Sequence, residues 1–170
     1  GEMDLKQHAR LFRTARRNSV DFISTPYSRW AVDLLEKIGV KAYKIASMDL
    51  TNTELLKGVA DTGKPVFVST GMANLTEIAL TVKTLRSLRS GPVTMLHCLS
   101  KYPADPKDIN LAFMDTIRKT CRCQVGYSDH AKGTLACLVA AILCAEVIEK
   151  HFTLDTSRPG ADHCHSADQE

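Results

Sequence analysis

The sequence predicts an α/β fold, a parallel sheet curled as part of a (β/α) barrel, and three observations carry that prediction. Short β-prone runs recur with starts roughly 22 to 30 residues apart, the length of one βα unit. Amphipathic, helix-like stretches separate them. Nearly every run ends in polar, reactive-type residues. A doubly wound sheet gathers function at its switch point, whereas a barrel draws it from all strand ends around one ring.

The six runs are 20–24, 42–46, 65–69, 93–98, 123–127 and 147–151. Between them, 30–38, 53–62, 75–88, 106–119 and 133–145 carry helical patterns. Boundary chemistry agrees. Asn74 or Thr76 can cap the helix carrying Glu77, and Gly39 and Gly63 stand just past helix ends, where a left-handed residue is wanted. Asp105-Pro106 reads as a helix entry with proline in the first turn. Strand and helix alternating in this way give parallel pairing with right-handed crossovers. About six βα units in 170 residues fall short of the roughly 250 of a closed eight-stranded barrel. Residues 1–170 are therefore expected to form one incomplete barrel domain.

Composition narrows the function classes. The net charge of +3 comes from 22 basic and 19 acidic residues, and only 6% of the chain is aromatic. A nucleic-acid surface wants more positive charge with interleaved aromatics. Arg10, Arg13, Arg16 and Arg17 instead read as the solvated face of an opening helix. Several of the six cysteines lie in apolar runs, where Cys is a small hydrophobe, so reduced thiols in a cytoplasmic protein are expected. No signal-type segment opens the chain, and no apolar run reaches the ~18 residues of a membrane span.

His130 and His151 end consecutive predicted strands, so their side chains can converge across one loop layer. Neutral imidazoles suit a transition metal and leave positions for water and substrate oxygen. The alternative is two unrelated polar residues, one of them a hydrogen-bonded core histidine. Thr25, Ser47, Ser69, Ser100 and Ser128 stand at five different strand ends. Each singly reads as a helix cap. Together with Lys44 they form a candidate phosphate or carboxylate site. Asp49 and Asp162 are candidate carboxylates for proton handling or for orienting a hydroxyl, or else turn residues. Cys121-x-Cys123 and His163-Cys164-His165 match metal ligands in type but lack zinc-ribbon or finger spacing. No phosphate-loop or dinucleotide glycine motif is present, so nucleotide binding has no support.

An ordered set of motifs goes further. It comprises Phe22-Ile23-Ser24-Thr25-Pro26, Tyr43-Lys44-Ile45-Ala46-Ser47, the run 63–72 ending Ser69-Thr70-Gly71-Met72, and Leu96-His97-Cys98. Tyr102-Pro103, Asn110-Leu111, Gly126-Tyr127-Ser128-Asp129-His130 and the run 149–155 complete it. From about Phe22 to Ser166 the chain resembles the N-acetylneuraminate (sialic acid) synthase family. The resemblance implies a TIM-type barrel enzyme, a transferase of carbohydrate biosynthesis. Such an enzyme condenses phosphoenolpyruvate with N-acetylmannosamine or a related acylamino sugar and releases phosphate. It places His130 and His151 on metal-ligand positions, usually for Mn²⁺. Thr25, Lys44, Ser47, Ser69, Ser100 and Ser128 fall around phosphoenolpyruvate. Tyr102 and Asp162 fall on sugar-contacting positions, and Asp49 on an active-site carboxylate, with Lys44 and Asp49 the catalytic pair.

The chain departs from the family pattern at Met48, where glycine is usual, and in Asp162-His163-Cys164-His165. In the family two barrel strands precede the matched region and an antifreeze-like domain follows it. Low turnover and self-association through open barrel edges are therefore expected of the isolated chain. Two other readings stand beside this one: a non-catalytic assembly module, and a synthase for another nonulosonic acid such as legionaminic or pseudaminic acid.

Overall fold

A computed structural model describes residues 3–169. Helix α1 (Leu5–Arg17) opens on a capping box: Gln7 N–H donates to the Asp4 carboxylate, and Asp4 N–H donates to the Gln7 side chain, each at 2.8 Å. No residue of α1 is buried, and Arg10, Arg13, Arg16 and Arg17 face solvent as expected. Helix α2 (Arg29–Ile38) starts at Ser28, whose hydroxyl accepts from Ala31 N–H, and stops at Gly39 with φ 86°. Then follow β1 (Tyr43–Ile45), α3 (Thr53–Ala60), β2 (Val66–Ser69), α4 (Leu75–Ser87), β3 (Val93–Cys98), α5 (Phe113–Cys121), β4 (Gln124–Asp129), α6 (Leu135–Ile142) and β5 (Ile148–Lys150). Among the described residues, 3₁₀ turns lie at Ser47–Asp49 and Pro106–Asp108 in the connections and at His163–His165 beyond β5.

Among the described residues the sheet has five strands, all parallel, in the order β1-β2-β3-β4-β5. Chain order equals spatial order, so each crossover steps to the next neighbour without reversal. The strands curl into a half-barrel with the helices outside. Register then sorts the side chains, because successive residues point to opposite faces. Tyr43, Ile45, Val66, Val68, Met95, Val125 and Tyr127 face the helices and are buried against Val32, Leu35, Leu55, Val59, Ile78, Val82, Leu85, Met114 and Ile117. Burying each large apolar side chain contributes roughly 1.5–3 kcal/mol, so this layer holds the sheet. Lys44, Ser69, Cys98, Ser128 and Glu149 take the other parity and face inward. Gly126 is needed where β4 approaches the start of β5: a Cβ there would lie 2.4 Å from the Val147 carbonyl oxygen and 2.7 Å from Leu96.

Three expectations are corrected. The run 20–24 is not a strand; it makes one isolated bridge, Ser24 to Tyr43, with Lys44 N–H donating to Ser24 O at 3.3 Å. Val20 and Ile23 are exposed, so neither gives the run a buried face. The helix expected over 106–119 is two pieces, Pro106–Asp108 and α5, separated where Asn110 takes φ 47°. The helix expected over 133–145 is only Leu135–Ile142.

His97 is a polar residue near the end of β3. Its parity turns it to the helix face, with Nε2 donating to Ile109 O at 2.7 Å and the ring beside Phe113 and Tyr127. Burial pushes its pKa below the usual value, and the carbonyl bond offsets only part of this. The unfolded chain therefore binds the proton at higher pH than the native one. Stability is full above about pH 6.5 and falls as pH drops below it, by up to about 1.4 kcal/mol per unit for this group. Denaturant titrations from pH 7.5 to 5 should show that slope, shallower in His97→Phe; equal slopes would contradict the assignment.

Candidate functional site

The inward parity and the turns above it line a cavity of about 540 Å³ at the C-terminal ends of the strands. This is where parallel βα units place ligands, because loops and helix N-termini meet there. Thr25, Lys44, Ser47, Ser69, Ser100, Tyr102, Ser128, His130 and His151 all line it. So do Glu149, Cys98, Met48 and Lys150, which were not anticipated there.

One side of the cavity is cationic and hydroxyl-rich. Lys44 is largely buried; its Nζ donates to Ile45 O at 3.2 Å and lies 3.5 Å from Glu149 Oε2. Glu149 Oε1 accepts from Ser128 Oγ at 2.6 Å. Ser47 Oγ accepts from Gly71 N–H at 3.0 Å and sits 3.8 Å from Cys98 Sγ. A side chain at Gly71 would meet Ser100 and Cys98, so the ends of β2 and β3 close together only with glycine here. Ser69 Oγ is buried with no partner among the described residues. An orphaned donor facing a polar cavity is a place for a ligand oxygen.

The other side is a cluster of imidazoles under Tyr102. The Tyr102 ring lies against His130, centroids 4.0 Å apart and planes inclined at 39°, and the Tyr102-Pro103 peptide is cis. His130 and His151 ring centroids are 5.4 Å apart. His130 Nδ1 lies 2.9 Å from Leu99 O, and a carbonyl only accepts, so Nδ1 carries the proton and Nε2 keeps its lone pair. Burial holds the His130 pKa below the ordinary histidine value; the Leu99 bond opposes this and the neighbouring His151 and His165 add to it. The neutral ring with a carbonyl-fixed tautomer is the form in which histidine binds metals. His165, from the turn past Asp162, joins the cluster with its centroid 5.0 Å from His151. Among the described residues His151, Asp162 and His165 bring ligand atoms within 4.8 Å of one another. The donor chemistry therefore fits a divalent transition metal.

Two expected residues lie apart from the cavity lining. Asp49 sits in the 3₁₀ turn beside Met48, its Oδ1 accepting from Asn52 at 3.0 Å and its Oδ2 buried without a partner among the described residues. Asp162 is exposed and stands 3.9 Å from both His151 and His165.

Beneath the site a buried ion pair fixes the two histidine-bearing strands. Asp129, 1% exposed, takes Lys150 Nζ at 2.7 Å, Tyr127 OH at 2.8 Å, Ala131 N–H at 2.9 Å and Cys137 Sγ at 3.2 Å, while Lys150 also donates to Ala131 O. Burial pushes the Asp129 carboxyl upward, but Lys150 and the other donors outweigh it and hold it below its ordinary value. Asp129 and Lys150 are register partners, so the pair sets how His130 and His151 face each other one residue on.

All six cysteines are free, and no helix among the described residues is long and apolar enough to cross a membrane.

Residues 1–170 match the profile described as the NeuB family. An N,N'-diacetyllegionaminic acid synthase of Campylobacter jejuni is 43% identical over 164 residues, 95% of this chain and 49% of that protein. A crystal structure of N-acetylneuraminic acid (sialic acid) synthetase from Leptospira borgpetersenii, in complex with citrate, superposes with a TM-score of 0.93 at 36% identity, covering 98% of this chain and 58% of that one. A truncated 3-deoxy-D-arabino-heptulosonate 7-phosphate synthase of Thermotoga maritima shares the fold alone, with a TM-score of 0.80 at 15% identity over 99% of this chain and 67% of that one. The chain spans about half the length of the curated relatives it matches.

Proposed function

The chain belongs to the NeuB family, and from that premise we propose that it is the strand-end portion of a TIM-type barrel synthase condensing phosphoenolpyruvate with an acylamino sugar. The single observation that carries the reading is one cavity with an anion-binding side, Lys44 among the hydroxyls of Thr25, Ser47, Ser69, Ser100 and Ser128, facing an imidazole side, His130 and His151. Lys44 and the hydroxyls hold the phosphate and carboxylate of phosphoenolpyruvate, which is mainly a positioning and electrostatic contribution. The enol carbon forms a bond to the sugar's aldehyde carbon while the carbonyl π pair moves to the aldehyde oxygen, which takes a proton. Water adds to the cationic carbon left behind and gives up a proton, and that carbon's bond to the phosphate oxygen breaks, releasing phosphate and leaving a ketone. His130 and His151 would hold a divalent metal, Mn²⁺ in this reading, which acts as a Lewis acid toward the aldehyde oxygen when bound. Tyr102, against His130, and Asp162, beside His151, are assigned to the sugar side. Asp49 is taken as the active-site carboxylate beside the cavity, its Oδ2 having no partner among the described residues and being open to a donor from substrate or water.

Phosphate release in the presence of Mn²⁺ and a panel of acylamino sugars tests this. Release that depends on sugar and is lost in Lys44→Ala is expected. Release independent of sugar, or unchanged in Lys44→Ala, contradicts it. The choice of sugar is open to a second reading, because the Campylobacter relative makes a product with two acetamido groups. Phosphoenolpyruvate brings no nitrogen, so such a product requires a sugar with two acylamino groups. Preference for a diacetamido hexose over N-acetylmannosamine is the result that selects it.

The half-barrel's β5 edge bears on the assembly. Leu135, Leu138 and Ile142 of α6, and Leu154 just past β5, are each at least 59% exposed, and large exposed apolar side chains of this kind mark association surfaces. The isolated chain is accordingly expected to self-associate there; clean monomeric elution on size exclusion speaks against it.

A further inference from the structure

His165 is 0% exposed, and its Nε2 has no hydrogen-bond partner among the described residues. A buried polar atom left in that state loses its water without gaining a partner, so an orphan of this kind calls for an occupant. The ring does not point into apolar packing. Its centroid lies 5.0 Å from His151, 6.3 Å from His130 and 5.6 Å from Tyr102. Nε2 is 3.9 Å from Asp162 Oδ1, too far for a hydrogen bond, and the other Asp162 oxygen is 3.9 Å from His151 Nδ1. With metal–nitrogen bonds of about 2 Å, imidazoles sharing one ion have centroids about 5 Å apart. His151 stands at about that separation from both His130 (5.4 Å) and His165 (5.0 Å), while His130 and His165 are wider apart at 6.3 Å. The ligand atoms of His151, His165 and Asp162 lie within 4.8 Å of one another, and Asp162 adds negative charge beside them.

The placement of His165 is built in. Ala167 N–H donates to His151 O at 2.7 Å and Thr153 N–H to Ala167 O at 2.8 Å, fastening the segment beyond the turn to the end of β5. Thr153 Oγ1 lies 2.7 Å from His163 Nδ1, which takes that ring away from the cluster and leaves His165 to face it.

We propose that His165 is a third imidazole ligand of the metal centre formed by His130 and His151. The inference rests on the metal assignment made above and extends it to a residue in the segment where the sequence departs from the family pattern. Three nitrogen donors shift the site's preference from the oxygen-favouring Mn²⁺ toward Zn²⁺ and Co²⁺.

The test is Zn²⁺ titration of the full 170-residue chain, with the Co²⁺ visible spectrum as a second readout and a thermal melt in EDTA to compare folding. His165→Phe keeps a ring in the space but removes both nitrogens. It should weaken Zn²⁺ binding at least tenfold and change the Co²⁺ spectrum, since even the outer partners of a metal ligand are worth roughly 10–100-fold. Should His165→Phe fail to fold, His165→Ala decides, because free imidazole should restore its lost affinity. If His130→Ala and His151→Ala lose Zn²⁺ while both His165 variants bind like the wild type, the third ligand is wrong and the two-histidine centre stands. If the wild type takes up no Zn²⁺ or Mn²⁺, or none of the variants changes affinity, the two-histidine centre fails and His165 with it.

Discussion

Replacing Asp129 by alanine should destabilise the chain by about 3–5 kcal/mol, the usual effect of removing one partner of a buried ion pair. The Asp129 side chain is 0% exposed and that of Lys150 only 11%, so the lysine would keep a buried charge with no counter-charge. Tyr127 OH and Ala131 N–H would lose their acceptor in the same step. For a chain of this size the loss lowers the melting temperature by roughly 6 to 20 °C. Asp33→Ala is the matched control: its pair with Arg29 is about half exposed on both sides, and removing it should change stability by less than about 1 kcal/mol. Calorimetric melts of the two variants measure the contrast. A small Asp129→Ala effect would mean that water reaches Lys150 and that the pair does not hold β4 and β5 in register.

His130→Ala and His151→Ala are each expected to reduce Mn²⁺ affinity by tenfold or more, without a matching loss of stability. The geometry behind this is specific. The Leu99 carbonyl fixes the His130 tautomer so that Nε2 keeps its lone pair, and His151 stands at the end of the neighbouring strand with its ring 5.4 Å away. Electron paramagnetic resonance of free Mn²⁺ during titration gives the affinity directly. Unchanged uptake in both variants would remove the ligand assignment.

The half-barrel was legible in the sequence because each βα unit carries local signals. Asn74 with Glu77, and Gly39 at φ 86°, are cap residues that act within one turn. The run 20–24 misled because its residues have β propensity, whereas strand formation needs a paired neighbour and a buried face. Val20 at 60% exposure shows that the buried face is missing. Of the site, Lys44, the hydroxyls, His130 and His151 were legible as polar ends of apolar runs. The criterion alone would also admit His97, but parity decides: Cys98, one residue on, is the inward-facing end of β3. Glu149 was missed although it stands two residues before His151, and the period of two puts both on the cavity side. His165 was visible only as a His-Cys-His cluster without metal spacing. It reaches the site through backbone pairing of Ala167 with His151, a contact that no local pattern announces.

Calorimetric titration of phosphoenolpyruvate into the chain with Mn²⁺ present, wild type against Lys44→Ala, tests most directly whether one cavity takes both anion and metal. Binding at one site per chain is predicted, weakened about tenfold to a hundredfold when the Lys44 charge is removed. Absence of binding to the wild type, or equal affinity in the two proteins, would contradict it.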